Sequence, residues 1–101
     1  MQERERVEHV VRAAANAMGV TPEGIRSSQR THDLSLARHI AAYILREDFY
    51  MTFTEVSIAL GCLDASSARY GWLKIHDGEK PLATLLLPQV RAAASITVPM
   101  Q

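Results

Sequence analysis

Apolar residues recur along most of this chain at helical spacing, and each periodic stretch is bounded by a start or stop signal. Val7, Val10, Val11, Ala14 and Met18 follow the i, i+3, i+4, i+7 pattern, which predicts a first helix from Glu3 to Met18, closed by Gly19. Thr21-Pro22 is a second start signal, an N-cap with proline at the first helical position, but only one turn can follow before the apolar period is lost. Leu34, Ala37, Ile40, Ala41, Ile44 and Leu45 form the strongest stripe, so the helix from Asp33 or Ser35, either of which can cap it, to about Asp48 is expected at the centre. Arg38 and Arg46 are expected to face outward or across its flank, and Phe49-Tyr50-Met51 to pack over the core.

The stretch from Thr52 to Ile75 reads as a helix-turn-helix. Thr52 and Glu55 have the spacing of a capping box, Gly61 stops the first helix, and Asp64 caps the second. In that second helix Ala65, Ala68, Trp72 and Ile75 make the inner stripe, while Ser66, Ser67, Tyr70 and Lys74, with Arg69 at the edge, make a polar outer face. Small hydroxyls and a few cations suit a helix that approaches a DNA groove. Short helical hairpins with a polar face also occur in all-α domains that bind no nucleic acid. Pro81 opens a last helix with Leu82, Leu85, Leu86 and Val90 as its stripe, and Pro88 predicts a kink or break within it. These elements predict one all-α domain of five to six helices over residues 1–101.

Composition agrees, with 48% apolar residues but only 6% aromatic ones. Eleven basic and eleven acidic residues cancel, which argues against nonspecific nucleic-acid binding as the main role. The distribution is uneven. Residues 24 to 46 hold Arg26, Arg30, Arg38 and Arg46 against Asp33 alone, so a basic arm precedes the helix-turn-helix. Its arginine, hydroxyl and amide side chains between Arg26 and His32 suit phosphate or minor-groove contact. A lone Cys62 forms no internal disulfide and points to a reducing, cytoplasmic setting, and no apolar run predicts a membrane span. No phosphate loop, dinucleotide fingerprint, nucleophile elbow or zinc-protease motif occurs, and neither the four histidines nor Cys62 has metal-ligand spacing. Hence no catalysis, cofactor, metal or small-molecule substrate is expected.

Across about Val7 to Val90 the chain resembles the C-terminal DNA-binding domain of DnaA, the bacterial chromosomal replication initiator. Ser27, Arg30, Ala37-Arg38, Arg46-Glu47 and Lys74-Ile75 fall in register with that family without gaps, and its GGRDHST-type signature becomes Gly61-Cys62-Leu63-Asp64-Ala65-Ser66-Ser67. The resemblance implies a helix-turn-helix domain of the Trp-repressor-like type that binds double-stranded DNA sequence-specifically at an origin or a regulatory site. It implies base or phosphate contacts for Asp64, Ser66 and Ser67, a minor-groove role for Arg30, backbone positioning for Ser27 and a phosphate contact for Arg38. Helix geometry adds Arg69 and Lys74.

Leu63 and Ala65 stand where the family carries an arginine and a histidine, and Ser28, Gln29 and His32 stand where positive charge is common. The initiator's ATPase module is absent from this sequence, so the chain is either a fragment or a stand-alone relative, and a whole first helix after Met1 together with the altered signature favours the second. These losses, and Leu73 outside the inner stripe, motivate an alternative: a protein-interaction or self-associating module that keeps the fold without the DNA contacts. The DNA reading requires Arg30, Ser66 and Ser67 to share one surface, free of acids.

Overall fold

Everything is arranged around one helix. The structure, a computed structural model, describes residues 3–61 and 64–94, and among these the elements are α1 (Glu3–Met18), α2 (Pro22–Ile25), α3 (His32–Phe49), α4 (Phe53–Leu60), α5 (Ala65–His76) and α6 (Pro81–Ala94). Leu34, Ala37, Ile40, Ala41, Ile44 and Leu45 of α3 are all buried, and so are Leu36, Arg38 and Ala42. A helix whose middle, residues 34–45, is apolar on most sides must be covered there on most sides, and α3 packs against each of the other five. α1 and α6 pair with each other and with α3, as do α4 and α5, the two helices of the helix-turn-helix.

The start of α3 differs from expectation. Thr31 is the N-cap, with extended backbone and Oγ1 accepting the Leu34 N–H at 3.2 Å. The Ser35 N–H already bonds the Thr31 carbonyl at 2.9 Å, so Asp33 and Ser35 both lie inside the first turn, where Asp33 still favours the positive end of the helix dipole. At the other end Tyr50 takes the left-handed conformation (φ 57°) and points into solvent, while Met51 turns back into the core and its carbonyl accepts from Arg46 Nη1 at 3.1 Å. Of the three connecting residues, Tyr50 is therefore the one that does not cover the core.

The helix-turn-helix follows its sequence signals closely. Thr52 and Glu55 exchange the two bonds of a capping box at 2.8 and 3.1 Å, and Gly61 closes α4 at φ 74°, its N–H bonded to Ser57. Asp64 Oδ1 then accepts the Ser67 N–H at 2.7 Å and starts α5. Cys62 and Leu63 lie outside the described residues.

α5 approaches α3 closely because Gly71 has no side chain. A Cβ there would lie 2.5 Å from Cδ2 of the His39 ring. Farther along, the Trp72 ring stacks between Tyr43 and His76, and its indole N–H donates to Glu47 Oε2 at 2.7 Å.

α6 departs from expectation in its buried face, and of the kink or break expected at Pro88 the break does not occur. It runs unbroken through Pro88; Pro88 and Thr84 are both exposed, so water can satisfy the Thr84 carbonyl that loses its N–H partner. Its buried residues are Ala83, Leu87 and Val90, with Leu86 partly covered, whereas Leu82 and Leu85 of the expected stripe are exposed. The run Leu82-Ala83-Thr84-Leu85-Leu86-Leu87 is apolar around most of the helix, so its period fits either face.

The close approach at Gly71 gives a test. Alanine is the better helix former by about 1 kcal/mol, yet Gly71→Ala should destabilise the protein by about 1–3 kcal/mol, because the ring it meets is fixed in a packed interface. Urea denaturation monitored by circular dichroism measures this, and an unchanged or higher midpoint would contradict the packing described.

Candidate nucleic-acid interface

The basic loop after α2 is shaped from beneath by Arg38. A one-turn helix leaves carbonyls unpaired at its C-terminal end, and here those groups face inward. Arg38 Nε donates to the Ile25 carbonyl at 2.7 Å, and Nη2 donates to Gly24 and Ser27 at 2.9 and 2.7 Å. The residue is only 4% exposed. The expectation that Arg38 faces outward is therefore corrected: the loop needs several donors fanned from one buried point, which guanidinium provides.

Ser27 is likewise engaged within the loop, donating from Oγ to the Gly24 carbonyl at 2.7 Å and accepting the Gln29 N–H at 3.2 Å. Arg26 pairs with Glu8 and reaches the Ala59 carbonyl, and Arg46 lies over the Phe53 ring. Of the four arginines in the basic arm, Arg30 alone is exposed.

Arg30 lies beside the start of α5. A cleft of about 390 Å³ is lined by Arg30, Ser35, Arg38, His39, Asp64, Ser66, Ser67 and Tyr70. The loop arginine and both α5 hydroxyls thus share a surface, as the DNA reading requires, but that surface is not free of acids. Asp64 lies on it, its carboxyl held below the ordinary range chiefly by the hydrogen bonds from Ser67, with Arg30 adding to the effect.

Ser27, Arg69 and Lys74 do not line the cleft. Arg69 is exposed on α5. Lys74 Nζ bonds Glu79 Oε1 at 2.9 Å, which raises its pKa, and lies 5.2 Å from the centre of the Tyr70 ring.

Ser35 and His39 of the lining are not among the expected site residues, Ser35 being expected only as a candidate helix cap. Ser35, Arg38 and His39 are spaced i, i+3, i+4 within the mainly apolar stretch of residues 34–45, and that polar strip is the signal that could have found them. His39 Nδ1 is buried and has no hydrogen-bond partner among the described residues. The ring sits against Gly71, with the Tyr70 ring edge-on at 6.2 Å. Burial, aided by the charges of Lys80 and Arg38, lowers its pKa from 6.5 to about 4, so the imidazole is neutral at pH 7.

A family model described as bacterial dnaA protein helix-turn-helix matches residues 7–75, from α1 to the end of α5. The chain belongs to the bacterial DnaA helix-turn-helix family. No solved structure matches it at a significant level. The DnaA helix-turn-helix is a DNA-binding domain and not a catalytic one. In this member α6 lies beyond the matched stretch. Among the described residues no three or more His, Cys, Asp or Glu side chains are grouped to hold a metal ion, and no helix is long and apolar enough to cross a membrane.

Two outcomes test this architecture. Arg38→Ala should cost about 2–4 kcal/mol by removing the buried donors that bond the Gly24, Ile25 and Ser27 carbonyls, and Arg38→Lys should recover little of it, since one ammonium cannot reproduce the fork. Equal stability of parent and Arg38→Ala in urea would contradict the role.

His39 makes stability depend on pH. Its folded pKa lies below the unfolded value, so below pH 6.5 the unfolded chain takes up a proton that the native state excludes. The contribution is fully present above pH 6.5 and is lost as the pH falls toward 4, up to about 3 kcal/mol in all. Glu8 and Asp64, also depressed, act with the same sign at lower pH, so the diagnostic window is pH 6.5 to 5. His39→Gln should flatten the stability profile there, and an unchanged slope would assign it to other groups.

Proposed function

We propose that the protein binds double-stranded DNA sequence-specifically, at an origin-type or regulatory site, with α5 in a major groove and Arg30 in the neighbouring minor groove. The observation that carries this reading is the cleft shared by Arg30, Ser66 and Ser67. Family membership supplies the general activity, and the cleft gives it a geometry: a loop cation set beside the N-terminal turn of α5 suits contact with adjacent grooves of one duplex.

Asp64 is compatible with the same surface. A carboxylate can accept a hydrogen bond from the cytosine amino group, so this acid on a base-facing edge contributes selectivity where it meets cytosine and repulsion where it meets phosphate. Ser66 and Ser67 reach bases or phosphates, Ser27 sets the loop backbone, and Arg69 and Lys74 touch phosphates along the rim. Arg38 acts indirectly, by holding the loop that presents Arg30.

A second reading, an interaction module, draws on Ile58 and Leu85, which are 74% and 76% exposed on α4 and α6. Leu73, which first suggested an apolar edge, is only half-exposed and adds little. Light scattering separates the two readings: a strict monomer at high concentration that binds DNA saturably removes self-association.

The direct test titrates duplexes bearing the family's initiator box, and scrambled duplexes, at two salt concentrations. Arg30→Ala should leave stability within about 0.5 kcal/mol of the parent. It should weaken DNA binding by roughly 1–3 kcal/mol, with a loss that depends on A·T content where the arginine enters the minor groove. Lys74→Ala should weaken binding more evenly across sequences. An Arg30→Ala protein of unchanged helix content that binds every duplex as the parent does would reduce the loop to a solvated connection, and a flat salt response would remove DNA binding altogether.

A further inference from the structure

We propose that Tyr70 is a specificity-determining residue, its ring meeting the methyl group of a thymine in the major groove. The inference rests on the DNA-binding reading and deepens it.

Tyr70 follows Ser66 and Ser67 at steps of four and three, so all three lie on one side of α5, and all three line the cleft with Arg30. It is 55% exposed. A single exposed aromatic residue is unremarkable in itself; what distinguishes this one is how it is held. His39 meets the ring edge-on at 6.2 Å with 72° between the planes, and Lys74 Nζ stands 5.2 Å from the ring centre. His39 is in turn fixed by burial against Gly71. The phenol is therefore ordered before any duplex arrives, which lowers the entropic cost of using it in a contact.

Reach and chemistry both fit. Four residues of helix at 1.5 Å each carry Tyr70 about 6 Å along the axis from Ser66, close to two base-pair steps of about 3.4 Å. A phenol also extends farther from the helix than a serine hydroxyl, so it can touch a base edge where the helix has begun to leave the groove floor.

Serine hydroxyls donate and accept alike and so discriminate weakly between bases. Ala65 offers no polar group beside them. In the major groove the thymine C5-methyl is the apolar mark that an aromatic ring can recognise. With the polar readers few, an apolar contact at the second turn adds a base preference to the one Asp64 supplies at the start of the helix.

The experiment begins by selecting preferred duplexes from a random pool with the parent protein. Each thymine of the selected site is then replaced singly by deoxyuridine, which removes only the methyl group. Parent, Tyr70→Phe and Tyr70→Ala proteins are titrated against the set, with helix content checked by circular dichroism.

The expected result is one position at which deoxyuridine weakens parent binding by roughly three- to tenfold, the scale of burying one methyl or a little more. Tyr70→Phe should keep that response, and Tyr70→Ala should bind the thymine duplex as weakly as the parent binds the deoxyuridine one and lose the response. If Tyr70→Ala keeps the parent's response at every thymine, if no methyl matters in the selected site, or if Tyr70→Phe alone abolishes the response, the assignment is overturned while DNA binding stands. A parent that enriches no duplex overturns sequence-specific reading, and this assignment with it.

Discussion

One buried guanidinium holds the two halves of the candidate interface in register. Arg38 rises from α3 and bonds three carbonyls at and just beyond the end of α2, while the next residue along α3, His39, is the one against which Gly71 of α5 is seated. The loop and α5 are thus positioned by neighbouring residues of a single rigid helix. Arg30 and the α5 hydroxyls need no bond between them to keep a fixed separation. Carbonyl dipoles satisfy the hydrogen bonds of Arg38 without cancelling its charge, so the arginine still acts electrostatically on the cleft and helps keep His39 neutral.

Local chemistry was the most legible part of the chain. The Thr52–Glu55 box, the Gly61 stop, the Asp64 cap and the Thr21-Pro22 start each depend on a few adjacent residues, and all four form as the sequence implies. The stripe of α3 was legible because it repeats at helical spacing from Leu34 to Leu45, about three turns.

What stayed hidden depends on partners distant in sequence. Arg38 falls on the line of Leu34, Ala41 and Leu45, where an apolar residue would normally stand, and only the carbonyls at the end of α2 explain why a cation sits there. Gly71 reads as an ordinary weak point in a helix until the His39 ring is seen against it. In α6 the first turns are apolar on most sides, so burial was decided by which small residue could face inward, and Ala83 did. Of the candidate site, the grouping of Arg30 with Ser66 and Ser67 followed from the family's register, but the contribution of Ser35 and His39 required the packing of α3 against α5.

The pairing of Lys74 with Glu79 bears on how any DNA affinity would be interpreted. The salt dependence of protein–DNA binding counts the small ions freed from the duplex and from the protein's own charges. A phosphate that draws Lys74 away from Glu79 exchanges one anionic partner for another, and the abandoned carboxylate recruits a cation from solution as the phosphate loses one. The two exchanges nearly cancel. Such a contact would leave little trace in the dependence of affinity on salt, so phosphates counted from that dependence would be fewer than those actually touched.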